Sequence, residues 1–290
     1  MNTPFYKLTN DILFKRTFGD PKRSQLLIHL INALLQLDES NKITHVEILN
    51  PFNDKEFIGD KLSIVDIKAK DSNNLHYNIE MQVQAPSFWK KRALYYASKL
   101  YTSQLKETNI YDKLNKTISI SILDSICFPN ITELHNFYHF CNQRTSEPLS
   151  DLIELHFIEL PKFNIKEPNK LSSPFENWLY ALKFGDLYQQ ESDMLPKQLH
   201  NENGIPEAIQ AMQYANSNNH VRELIESRQK FIHDQLSREA EVRAEGKAEG
   251  QTDGLESVAL NLIKTTKMSD LEISKISLLD IHIINKLRKP

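Results

Sequence analysis

Leu62-Ser-Ile-Val-Asp-Ile-Lys-Ala-Lys-Asp71 is followed, across Ser72-Asn73-Asn74, by Tyr77-Asn-Ile-Glu-Met-Gln-Val83. In the second run Tyr77, Ile79, Met81 and Val83 alternate with Asn78, Glu80, Gln82 and Gln84, a period of two that predicts a strand with one face packed and one presented. Leu62 to Ala69 reads as another strand, and the polar turn from Asp71 to Asn74 joins the two as an antiparallel hairpin. On the first strand Ile64, Asp66, Lys68 and Lys70 share one face, while Val65, Ile67 and Ala69 share the other. The turn brings the face of Glu80 and Gln82 alongside Asp66. Two carboxylates on adjacent strands suit a hard divalent cation, with Asp66, Glu80 and the backbone carbonyl of Met81 as its ligands. Polar residues alternating on a strand are also what an ordinary solvent face looks like, and the pattern leaves both readings open.

Outward from this hairpin the order is helix, hairpin, helix, strand, strand. Leu8 to Leu37 has apolar residues at three- and four-residue spacing and is cut by Gly19, Asp20 and Pro21 into two helices. Val46 to Leu49 reads as a short strand, with Asn50, Pro51, Asn53 and Asp54 as turn residues after it. Ser87 to Lys106 has no Gly or Pro and predicts a long helix with Phe88, Leu94, Tyr95, Leu100 and Tyr101 on its apolar side. On another side Arg92, Tyr96, Lys99 and Ser103 form a basic, hydroxyl-bearing stripe suited to phosphate oxygens, or an ordinary solvated face. Thr117 to Leu123 and Leu152 to Ile158 predict two further strands, and Phe175 to Tyr188 and Pro206 to Gln213 helices. His156, inside a strand, reads as packed or at an edge rather than as a ligand.

The chain has 290 residues, 40% of them hydrophobic and 25% charged, which excludes disorder and allows one or two packed units. Its 7 Gly and 12 Pro disfavour a turn-rich sandwich and point to a mixed α/β class. With a net charge of −3 the molecule is no polycation, so any contact with DNA requires a local patch. Residues 55–106 supply one, with nine Lys or Arg against five Asp or Glu. Cys127 and Cys141 lack metal-ligand spacing and read as reduced, buried thiols. No apolar signal core opens the chain and no run is long enough for a bilayer, so a cytoplasmic protein with no membrane segment is expected. Gly-x-Ser-x-Gly, phosphate-cradling Gly-rich and His-Glu-x-x-His motifs are missing, which disfavours esterase, NTPase and zinc-protease chemistry.

Three segments follow in the expected organisation: a domain over 1–220, a charged helical linker over 221–256, and a small helical segment over 257–290. In the linker Gly246, Gly250 and Gly254 recur every four residues. That spacing aligns small residues on one helix side, either as a solvated linker or as a surface for homo-oligomerisation. Met268 to Leu287 returns to apolar periodicity and reads as two short helices about a turn.

Asn10-Asp-Ile-Leu-Phe-Lys15 with Phe18-Gly-Asp20, Asp60-Lys-Leu-Ser-Ile-Val-Asp-Ile-Lys-Ala69, Asn78-Ile-Glu-Met-Gln82, Lys91-Arg92 with Tyr95-Tyr96, and Lys99-Leu-Tyr101 with Gln104-Leu105 resemble the recombination-promoting nuclease / putative transposase family of PD-(D/E)XK phosphodiesterases. Glu159-Leu-Pro-Lys-Phe163, Trp178-Leu-Tyr180 and the C-terminal helices resemble its later parts, so the likeness covers most of the chain. The resemblance implies a restriction-endonuclease-like core, a small mixed sheet flanked by helices, with a helical C-terminal extension. It matches Asp66 to the motif Asp and Glu80 to the acidic member of the triplet, here Glu80-Met81-Gln82, with Gln where the usual Lys stands. Asp11 matches an acidic residue that many members place on the first helix, and it is equally suited to capping that helix. Lys68, on the face of Asp66, is a candidate for the displaced charge, or simply a solvated lysine.

The function so implied is a metal-dependent DNA endonuclease, associated with recombination or transposon-like mobility. Mg²⁺ or Mn²⁺ would be held by Asp66, Glu80 and the Met81 carbonyl, Gln82 would position the attacking water, and Arg92, Tyr96 and Lys99 would meet DNA phosphates. The products would carry 5′-phosphate and 3′-hydroxyl ends. The competing reading is a catalytically weak or inactive nuclease fold that binds DNA or regulates, which the uncharged Gln82 makes credible. The terminal helix pair resembles a helix-turn-helix but carries few basic residues, so oligomerisation or simple packing competes with DNA reading there.

Overall fold

A computed structural model describes residues 5–50, 52–53, 63–64, 66–105, 110–190 and 194–288. Two compact units result, Met1–Arg222 and Glu223–Pro290.

The first unit begins with α1, Asp11–Phe18, whose first-turn N–H groups on Ile12 and Leu13 donate to the Asn10 side chain. Gly19 ends it, and after the single turn Pro21–Arg23 comes α2, Ser24–Leu34, an almost wholly buried helix. The strands that follow are β1 (Val46–Leu49), β2 (Phe52–Asn53), β3 (Ser63–Ile64), β4 (Ile67–Asp71) and β5 (His76–Gln82). Helix α3 (Trp89–Thr102) leads to β6 (Thr117–Leu123), β7 (His135–Tyr138) and β8 (Ile153–Glu159). The unit closes with α4 (Pro174–Phe184), α5 (Lys197–His200), α6 (Ile205–Ser217) and the start of α7 (Asn219–Thr265).

Six strands form a mixed sheet in the order β1-β4-β5-β6-β8-β7. β5, β6 and β8 run parallel at its centre, while β1 and β4 on one side and β7 on the other are antiparallel to their neighbours. The mixed α/β class with flanking helices is therefore the one expected from the sequence. β7 was not expected, because four residues with a histidine and an asparagine give little periodic signal.

Two expectations about the hairpin are corrected. Leu62 to Ala69 is not one strand: β3 pairs with β2 in a separate ladder, Asp66 lies in a bend, and β4 starts at Ile67. Asp66 thus stands where the chain leaves one ladder and enters another; Leu62 and Val65 lie outside the described residues. The residues expected as a turn after β1 include Phe52–Asn53 as strand β2, while Pro51 and Asp54 lie outside the described residues.

The polar face of β5 is also not presented to solvent. Asn78 and Glu80 are 1% and 2% exposed, and Ser119 and Ser121 beside them on β6 are equally buried. The cover is α3, whose Trp89 and Ala93 pack with Leu123, Phe128 and Phe157. On the opposite face Tyr77, Ile79, Met81, Ile118, Ile120 and Ile122 are buried, each aliphatic contributing about 1.5–3 kcal/mol. Helix α1 meets that face: a Cβ on Gly19 would stand 3.5 Å from Cγ1 of Ile67. The apolar side expected for α3 holds at Leu100 and, half-buried, at Tyr101, but not elsewhere. Phe88, Leu94 and Tyr95 are exposed, whereas Trp89, Ala93, Tyr96, Ala97 and Leu100 are buried, because small alanines let the helix lie close on the sheet.

In the second unit α8 (Asp270–Ser277) and α9 (Ile281–Arg288) join the end of α7. Ala259, Ile273, Leu279 and Ile284 form its core, and Ser269 and Glu272 close a capping box at the start of α8. Among the described residues, a Cβ added to Gly246, Gly250 or Gly254 would meet no atom within 4 Å. Cys127 is half-buried and Cys141 exposed, which corrects the expectation of two buried thiols. Among the described residues no helix is long and apolar enough to cross a membrane.

Candidate active site

Asp66 and Glu80 come together at the start of β4 and the far end of β5. The Met81 N–H donates to Oδ2 of Asp66 at 2.8 Å, which fixes the bend onto β5 beside Glu80. Burial pushes the Asp66 carboxyl up to about 6; the Met81 N–H opposes this, nearby Asp11 adds to it, and Lys15 and Arg92 offset part of it. Glu80 is raised well above the usual carboxylate range, first by burial and then by the charge of Asp66, with Arg92 opposing. Its Oε1 is buried without a hydrogen-bond partner.

Positive charge reaches this pair from two helices. Arg92 on α3 donates from Nε to the Tyr96 hydroxyl at 2.7 Å, and its guanidinium lies 5.1 Å from the Trp89 ring centre and 5.0 Å from that of Tyr96. Tyr96, expected on an exposed stripe, is 7% exposed. Ser103 of that stripe turns its hydroxyl back to the Leu100 carbonyl, and Lys99 is half-buried near the helix end. Lys15 is exposed on α1, one turn after Asp11, and its charge acts on Asp66. Asp11 is the first residue of the helix, and its own carboxylate accepts from the Ile12 N–H at 2.9 Å, while the cap proper is Asn10.

Gln82 ends β5, half-buried and on the strand face of Glu80. Lys68 lies opposite Asn78 within the sheet, and its charge acts on His76. Sequence reasoning singled out Lys68 because it lies two residues from Asp66 and did not consider Lys15, whose four-residue spacing from Asp11 was the available signal. The same reasoning missed the polar floor beneath α3. There the oxygens Asn78 Oδ1 and Ser121 Oγ, with Glu80 Oε1 and the Trp89 Nε1 donor, are buried and unpartnered. His156 is 7% exposed and bonded to His135 at 3.0 Å, remote from the acids on the other sheet face.

The donor set suits a hard divalent cation. Two raised carboxyls, one of them raised by the charge of the other, and an orphaned carboxylate oxygen are what such an ion would satisfy. Among the described residues no third carboxylate, histidine or thiol completes a ligand group with them, so a bound ion would draw its remaining oxygens from backbone carbonyls and water.

The family model described as PD-(D/E)XK nuclease family transposase matches residues 8–241. No curated protein matches the chain. No solved structure matches it.

Proposed function

The chain belongs to the PD-(D/E)XK nuclease family transposases, and from that premise we propose that it is a divalent-metal-dependent deoxyribonuclease that hydrolyses phosphodiester bonds in DNA recombination or mobility. The observation that supports this most is the pairing of half-buried Asp66 with buried Glu80, both carboxyls raised and one oxygen of Glu80 left without a partner. In this reading residues 1–220 are the nuclease domain, 221–256 a linker and 257–290 an accessory helical segment.

Asp66, Glu80 and the Met81 carbonyl would hold Mg²⁺ or Mn²⁺. Such an ion supplies a Lewis acid for the phosphate and a lowered pKa for an attacking water. The chain's own part is positioning and charge. The Met81 N–H holds Asp66 in one orientation. Gln82 offers an amide donor and an acceptor to a water or a phosphate oxygen. Arg92, clamped by Tyr96 and stacked on Trp89, keeps a guanidinium beside the carboxyls without rotamer freedom to lose. Lys99 and the basic start of α3 provide phosphate contacts along the helix.

The test is conversion of supercoiled plasmid to nicked and linear forms in Mg²⁺, Mn²⁺ or EDTA, with Asp66→Ala and Glu80→Ala purified identically. Metal-dependent cleavage that both substitutions abolish supports the reading, and cleavage that survives them refutes it. Gln82 favours one second reading, a DNA-binding nuclease fold with little hydrolysis. That reading predicts no cleavage by folded protein that still shifts DNA on a gel.

A further inference from the structure

The triplet Glu80-Met81-Gln82 places an uncharged amide where hydrolysis of a phosphodiester calls for a cation. Lys68 lies opposite Asn78 and Leu49 in the sheet, and its charge acts on His76. Arg92 is near but committed, bonded to Tyr96 and stacked on two rings. Its guanidinium serves the carboxyls themselves.

Helix α1 brings a second cation from the other side. Asp11 and Lys15 stand four residues apart and share a helix face. The chain just past that helix meets the apolar face of the sheet at the start of β4. Gly19, whose N–H donates to the Lys15 carbonyl at 2.8 Å, lies against Ile67, the residue that follows Asp66. Lys15 itself is exposed and its charge acts on Asp66, and an ammonium on a flexible four-carbon stem can meet an anion arriving from solvent.

We propose that Lys15 is a catalytic residue of this site, donating from its ammonium to a non-bridging oxygen of the scissile phosphate and so supplying the charge that Gln82 lacks. The inference rests on the nuclease reading above. Lys15 keeps its proton throughout, and its effect is electrostatic: it offsets the negative charge that builds on the phosphoryl oxygens as water attacks.

Two measurements on the full chain test it, with Lys15→Met, Lys15→Arg and Lys68→Met compared with the native protein. The first is the affinity for a labelled DNA duplex in EDTA over a range of salt. A phosphate contact from Lys15 predicts that Lys15→Met weakens binding and flattens the salt dependence by about one counterion, while Lys15→Arg and Lys68→Met do neither. The second is single-turnover cleavage in Mg²⁺. Lys15→Met is expected to lose about 100-fold in rate, Lys15→Arg to keep most of it, Lys68→Met to match the native protein, and Gln82→Lys added to Lys15→Met to restore part of the loss. An unchanged salt dependence for Lys15→Met, or a rate loss no greater than that of Lys68→Met, overturns the proposal. Should the native protein cleave nothing, the nuclease reading fails, and the salt dependence still decides whether Lys15 faces phosphate.

Discussion

Glu80 and Glu159 are two carboxylates buried under the same helical layer, two strands apart in one sheet, yet they are held in opposite ways. Their exposures are 2% and 0%. Glu159 accepts from the Cys127 and Phe128 N–H groups at 2.6 and 2.9 Å and from Nζ of Lys162 at 2.5 Å. That ammonium also reaches the carbonyls of Phe128, Ile131 and Glu133, so charge and hydrogen bonds close within the chain. Glu80 instead faces a second acid and keeps an oxygen without a partner. A buried carboxylate that completes its own shell fixes a loop; one left incomplete costs stability and awaits a partner from outside.

Glu159→Ala is expected to produce the largest effect. It strands Lys162 in the interior and should lower stability by about 3–5 kcal/mol, measured by urea denaturation. Asp66→Asn should do the reverse for the metal-free protein. The native carboxyl has its pKa raised to about 6, so its contribution to stability is present below the ordinary value of 3.8 and is lost as pH rises through about 6. The substituted protein should therefore equal the native one below pH of about 4 and exceed it by about 2 kcal/mol at neutral pH. Parallel stability curves across that range would break the comparison. Tyr96→Phe removes the hydroxyl that receives Arg92 and should cost about 1 kcal/mol, with a weaker hold on the cation beside Glu80 visible as reduced cleavage. Gln82→Lys makes Glu80 more like Glu159 by adding a cation on its face. The expected gain is the smallest, about 0.5 kcal/mol in metal-free protein, because the position is partly exposed.

The sequence made the hairpin legible through strict alternation at Tyr77 to Val83, and with it the pairing of Asp66 with Glu80. It did not show that Asp66 lies in a bend, because that depends on β3 pairing with β2 rather than continuing into β4. The burial of Asn78, Glu80, Ser119 and Ser121 was hidden for a related reason: a polar face reads as solvated until a helix distant in sequence is laid over it. For α3 the large apolar residues misled, since Phe88 and Tyr95 are exposed while alanines make the contact. Arg92 was legible as a cation on the helix, but its stacking on Trp89 and its turn toward the acids follow from α3's actual buried face. Lys15 was overlooked because its relation to Asp66 runs across α1 and the sheet, where sequence distance is no guide.

Whether Glu80 and Asp66 bind a divalent cation is read from the melting temperature of the native protein, Glu80→Gln and Asp66→Asn across a Mn²⁺ titration. The account predicts a rise with Mn²⁺ concentration for the native protein, following the binding of an ion to the folded state alone, and no rise for either variant. An equal rise in all three proteins, or none in the native protein, would contradict it.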